Sequence, residues 1–152
     1  MPDNNPTFTE HLQPGDCVSY RLRRVGRIAA KFYDNALKPC GLRNTQFTLV
    51  ASLNRLGETS IGDLSKALAT DGTTLNRNLE ILVRRGLIEN VETDDARVRN
   101  VRLTKRGYET FDEAIPLWRE AQQQVLKTLE PESWKTMMAQ LNEIETACDK
   151  PR

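Results

Sequence analysis

Five cations, Arg97, Arg99, Arg102, Lys105 and Arg106, fall within ten residues with no acid between them, and a charge density of that kind attracts phosphate. A solvated basic face would carry the same residues. Upstream, the stretch GTTLNRNLEIL offers Thr73, Thr74, Asn76 and Arg77, short donors and acceptors plus a guanidinium, the groups that read base edges or hold phosphate. Such residues also simply keep a helix in water. Cys17, close to Arg21 and to the expected start of a helix, is placed where a thiolate would be favoured and oxidation could be sensed. An idle or buried thiol is the plainer alternative.

Other chemistry finds little support. The single histidine, His11, lies in a polar leader, where no fixed base or metal ligand would be held. Cys17, Cys40 and Cys148 are odd in number, far apart and without a CxxC pair, which speaks against a disulfide scaffold or a zinc site. No P-loop, GxGxxG after a strand or GxSxG elbow is present, so nucleotide and acyl-transfer chemistry have no motif. The expectation is a protein that is not an enzyme and carries no cofactor and no metal.

With 152 residues, 38% of them hydrophobic, and 22 basic against 21 acidic groups, the chain suits one globular domain. The balance hides an asymmetry: the net charge is +3 over residues 1–70, +2 over 71–106 and −4 over 107–152. No run approaches a membrane helix and the opening MPDNNPTFTEHLQPGD does not look like a signal peptide, so a cytoplasmic protein without membrane association is expected.

The elements that must position these residues follow from periodicity. After a leader over 1–16, Val18, Leu22, Val25, Ala29, Phe32 and Ala36 step by four and three, which predicts an amphipathic helix over about 17–38 that Pro39 and Gly41 stop. Its seam could pack on its own domain or on a second copy. LRNTQFTLVASLNRLG predicts a second helix capped by Asn44 or Thr45 and ended by Gly57. Ser60 and Asp63 match a capping box, with the acid reaching back, for a short helix through Leu64 and Leu68. After a break at Thr70, Asp71 and Gly72, Asp71 caps a helix whose Leu75, Leu79, Leu82 and Val83 face inward. Two short helices so joined form a helix-turn-helix candidate. Residues 87–92 and 98–103 then alternate apolar with polar around the turn-forming TDDAR, predicting a two-stranded hairpin. Thr104 caps a long helix with Pro116 as a kink or restart, and a last helix begins near Pro131.

A helix pair followed by a hairpin suits duplex DNA: the second helix fits the major groove and the hairpin tip reaches the minor groove or the backbone. Arg97, beside Asp94 and Asp95 at the tip, suits a narrow, electronegative minor groove. In this order, GLRNTQFTLVASL, IGDLSKALATDGTTLNRNLEILVRRGLIE, DDARVRNVRLTKRG and AIPLWREAQ resemble the multiple antibiotic resistance regulator (MarR) family of winged-helix transcription factors, over about residues 17–148. The wing pattern is met by Asp95, Ala96, Arg97, Val101, Leu103, Thr104 and Gly107, with Ala96 where the family commonly has a second basic residue.

That resemblance implies a mainly α fold in which residues 44–103 form a winged helix-turn-helix DNA-binding domain with a two-stranded β wing, and 17–43 with 104–148 a helical dimerisation region. It implies a homodimer on double-stranded, pseudo-palindromic DNA, with Arg97 as minor-groove arginine and Asp95 as its orienting acid. Thr73, Thr74, Asn76 and Arg77 fall on the recognition helix, Ser60 at the start of the helix before it, and Arg99 in the basic wing. Repression released by a small aromatic or anionic effector is the expectation, with oxidation of Cys17 as the alternative; Arg24 and Arg27 could meet a carboxylate. A winged helix serving protein association is the rival of another class.

Overall fold

The computed structural model describes residues 12–94 and 98–149. Among the described residues, six α-helices and three short strands follow in the order α1 (Val18–Leu37), α2 (Asn44–Leu56), β1 (Thr59–Ser60), α3 (Ile61–Ala67), α4 (Gly72–Arg84), β2 (Ile88–Val91), β3 (Asn100–Leu103), α5 (Lys105–Leu126) and α6 (Pro131–Cys148).

 The six labelled helices are α-helical, and single 3-10 turns at Pro14–Asp16 and Lys38–Cys40 flank α1, eight helical segments in all among the described residues. Among the described residues no helix is long and apolar enough to cross a membrane.

The helix starts are set by local chemistry in three cases and by a neighbour in one. The Ser60 hydroxyl accepts from the Asp63 amide at 3.0 Å, the Asp71 carboxylate from the Thr74 amide at 2.9 Å, and the Thr104 hydroxyl from the Gly107 amide at 3.1 Å, so α3, α4 and α5 each begin on a side-chain cap. The reciprocal half of the expected box differs: Asp63 accepts from the Ser60 hydroxyl at 2.7 Å, and Ser60 itself lies in β1. Neither Asn44 nor Thr45 caps α2. Arg43 holds the cap position, its amide donating to Gln46 Oε1 at 3.1 Å, while the Asn44 amide donates to Asp34 of α1 at 2.6 Å. A carboxylate from the preceding helix does what a local cap would have done.

The break between α3 and α4 covers residues 68–71, so Leu68 lies past the end of α3 and Gly72 is the first residue of α4. Ala69 takes a left-handed φ of 45°, a conformation that favours glycine. Two bonds between neighbours hold it: the Thr70 amide donates to the Ser65 carbonyl at 3.1 Å, and the Ser65 hydroxyl to the Thr70 carbonyl at 2.5 Å.

The expected two-stranded wing is part of a three-stranded antiparallel sheet of order β1-β3-β2. Ile88 pairs with Leu103 and Val91 with Asn100, while Thr59 pairs with Val101 and Ser60 with Asn100. The strands are also shorter than the alternation suggested, since Val98 and Arg99 lie outside β3. The core sits where the helix pair meets this sheet and α5: Leu53, Leu64, Leu75, Leu82, Leu87 and Val101 are fully buried. Phe47 of α2 stacks on Phe111 and Trp118 of α5 at ring distances of 6.2 and 6.0 Å. Pro116 lies inside α5, which runs through it as one helix without a restart.

Two elements are largely uncovered. On α1, Val25 and Ile28 are 58% and 59% exposed, and Val18, Leu22 and Phe32 are exposed with them. The end of the helix is tied down, through Leu37 in the core, Asp34 at the start of α2, and Tyr33, whose hydroxyl donates to Gln122 of α5 at 2.5 Å. Burial pushes the Tyr33 phenol above its ordinary range. Helix α6 has no buried residue, though Trp134, Met137, Leu141 and Ile144 are half-buried along one face.

Candidate nucleic-acid interface

With Leu75, Leu79 and Leu82 turned into the core, α4 leaves Thr73, Thr74, Arg77 and Glu80 exposed and Asn76 half-buried. The period of the helix fixes this division, because 75, 79 and 82 share one face and 73, 77 and 80 the other. Thr74 is committed through its backbone: its amide bonds to Asp71 and its carbonyl accepts from Asn78 Nδ2 at 3.1 Å. Ser60 stands at the start of α3 with its hydroxyl occupied by Asp63.

Between α4 and the wing lies a cleft of about 160 Å³ lined by Asn76, Glu80, Arg84, Asn90 and Arg99 among others. It brings the expected residues Asn76 and Arg99 to one place. Arg99 Nη2 donates to Asn90 Oδ1 at 3.2 Å, so the guanidinium is steered by β2 as well as carried by the wing. Neither Arg84 nor Asn90 was among the DNA-contacting residues expected from sequence. Arg84 follows Glu80 by four positions on the helix, a spacing that could have pointed to it, whereas Asn90 needed the strand pairing.

The run of five cations is divided by the fold. Arg102 Nε lies 2.7 Å from Glu89 Oε1 and its Nη1 3.9 Å from Glu58 Oε2, while Lys105 Nζ lies 3.9 Å from Glu109. The hydrogen bond to Glu89 raises the Arg102 pKa still further above its ordinary value. Arg99 is exposed beside the cleft. Asp95, Ala96 and Arg97 lie outside the described residues, as does His11. Beneath the tip, the Thr93 hydroxyl donates to the Val98 carbonyl at 2.8 Å.

All three cysteines are free. Cys17 is exposed at the cap position of α1 and makes no side-chain cap bond, Cys40 is half-buried with its thiol donating to the Leu37 carbonyl at 3.0 Å, and Cys148 is exposed at the end of α6. Arg24 and Arg27 border an open strip on α1 together with Lys31 and Phe32. Among the described residues no group of three His, Cys, Asp or Glu could hold a metal ion.

The cap on α4 is sensitive to acid. Hydrogen bonding from the Thr74 amide holds the Asp71 carboxyl below its ordinary range, so its stabilisation is present above the unfolded pKa near about 4 and is lost as pH falls through the folded value. Asp71→Ala should melt a few degrees lower than the parent at pH 7, and the difference should close in acid. A gap in melting temperature that stays constant from neutral pH to about pH 3 would contradict this assignment.

No family model matches the chain. Solved structures do. The transcriptional regulator MosR from M. tuberculosis, in complex with DNA, is 33% identical, with a TM-score of 0.77 over 88% of this chain and 99% of that one. MarR from E. coli complexed with operator DNA has a TM-score of 0.77 at 22% identity, covering 84% of this chain and 92% of that one. BpsR from Bordetella bronchiseptica, whose DNA binding is regulated by 6-hydroxynicotinic acid, has a TM-score of 0.79 at 23% identity, covering 89% and 98%. The last two share the fold; MosR shares sequence over nearly its whole length as well. Each of the three is described by its transcriptional regulation or its binding of DNA. The winged-helix architecture and the kinship to MosR agree, and the chain belongs to the MarR family of transcriptional regulators.

Proposed function

We propose that the protein is a homodimeric cytoplasmic repressor that binds a pseudo-palindromic duplex, with α4 in the major groove and the wing at the neighbouring minor groove. The observation that carries this reading is the polar face of α4 standing beside the wing across the cleft that holds Asn76 and Arg99. Thr73, Thr74, Asn76 and Arg77 read or flank base edges, Ser60 and Arg99 contact the backbone, and Arg97, oriented by Asp95, enters the minor groove. Residues 44–103 form the DNA-binding domain and 17–43 with 104–148 the dimerisation region.

Dimerisation is supported by the uncovered apolar stripe of α1. Charge favours α6 of a second copy as its cover: α1 carries Arg21, Arg23, Arg24, Arg27 and Lys31 with no acid before Asp34, and α6 carries Glu132, Glu143 and Glu145 against Lys135 alone. The two recognition helices would then meet half-sites about 10 bp apart.

Release follows from a small aromatic or anionic effector that favours a dimer with misplaced recognition helices. The aromatic acid that regulates BpsR supports this chemistry. The exposed, unpaired Cys17 supports oxidation as a second route.

The test is titration of the purified protein against duplexes from its own upstream region at fixed salt, alone, with peroxide and with a panel of aromatic acids. Specific binding released by an acid supports the effector reading; release by peroxide that thiol restores supports Cys17. Absence of specific binding would favour a protein-association module. Arg97→Ala should weaken operator binding about tenfold or more without lowering the melting temperature. Unchanged affinity would remove Arg97 from the interface.

A further inference from the structure

We propose that Arg102, held between Glu58 and Glu89, is a positioning residue that fixes the wing to the start of α3, and that its charge is not offered to DNA. The proposal rests on the DNA-binding reading above. Arg102 lies on β3, the central strand, directly opposite Glu89 on β2. Thr59 pairs with Val101 on the other side, so antiparallel register brings the preceding residue, Glu58, alongside Arg102. The contacts follow the register: 2.7 Å from Arg102 Nε to Glu89 and 3.9 Å from its Nη1 to Glu58, with Asn100 Nδ2 donating to Glu58 Oε1 at 2.9 Å. One guanidinium on the central strand thus joins β2 to the residue that leads into β1.

The place of this clamp gives it a function. Strand β1 is two residues long and ends in Ser60, the cap of α3. Backbone pairing over so short a length is a weak tie between β1 and the wing, supplemented by the bond between the Ile61 amide and the Arg99 carbonyl at 2.9 Å. A side chain on the central strand that reaches both flanking segments strengthens that tie. Since the wing tip and α4 must reach adjacent grooves together, the angle between wing and helix pair enters the affinity directly.

The decisive variants are Glu58→Gln and Glu89→Gln, because two accounts predict opposite signs. Each removes a negative charge near a phosphate-binding surface, so charge alone predicts tighter binding. Loss of the clamp predicts weaker binding, about fivefold for each variant. Duplex affinity is measured at fixed salt, and amide hydrogen exchange over residues 59–61 is followed on the free protein, with melting curves to establish that each variant folds. Weaker binding with faster exchange is the expected result. Tighter or unchanged binding by folded variants overturns the positioning role. If the parent protein itself shows no specific binding, it is the DNA-binding reading that fails, and unchanged exchange would then overturn the clamp as well.

Discussion

Gly107→Ala should lower the stability of the fold by at least about 3 kcal/mol, a fall in melting temperature of roughly 10 °C. A Cβ at this position would overlap the Leu87 carbonyl oxygen and come within 3.2 Å of the Leu103 side chain. Neither neighbour can step aside. The Leu87 carbonyl already accepts from the Thr104 amide at 3.1 Å, and Leu103 is buried in the core. The Thr104 hydroxyl adds a third constraint, accepting from Gly107 and donating to the Gly86 carbonyl at 2.6 Å. This knot gives a physical reason for the Leu-Thr-x-x-Gly spacing: threonine starts α5 and ties it to the end of α4, and glycine lets the two backbones touch. Gly72→Ala is the control, because nothing lies within 4 Å of a Cβ there. Thermal melts that place both variants together with the parent would show that the close approach carries no energy.

Ile28→Glu should separate the proposed dimer into monomers and reduce operator affinity about a hundredfold or more, since two linked half-site contacts become one. The substitution falls on a side chain that is 59% exposed in the single chain, so the fold of the protomer should survive. That makes the result readable by sedimentation together with a melting curve. A dimer that persists would move the interface away from α1, and undiminished affinity in a monomer would mean that one helix-turn-helix unit is enough.

What was legible in the sequence was what acts over a few residues. Ser60, Asp71 and Thr104 each bond an amide three positions on, and a cap of that range leaves its mark in local order. The leucine spacing that splits α4 into two faces was equally visible. Misreadings arose where the partner was distant. Strand β1 has only two residues, too few for any alternation, and exists because β3 comes alongside it some forty residues later. The start of α2 depended on Asp34, ten residues earlier. Arg102 looked like one cation among five until Glu58 and Glu89 met it across the sheet. The roles of Asp95 and Arg97 still rest on the pattern of the sequence.

The strand order β1-β3-β2 also sets a timetable. As the chain emerges during synthesis, the two outer strands appear first, and the strand that pairs with both arrives last. Until residues 100–103 are made, the helix pair lacks the Val101 and Leu103 side chains that complete its core, and β1 and β2 have no neighbour to pair with. A nascent chain halted before that point would present unpaired strand edges and an open apolar face. For this fold, a few residues of β3 separate a growing chain exposed to aggregation from one able to close on itself.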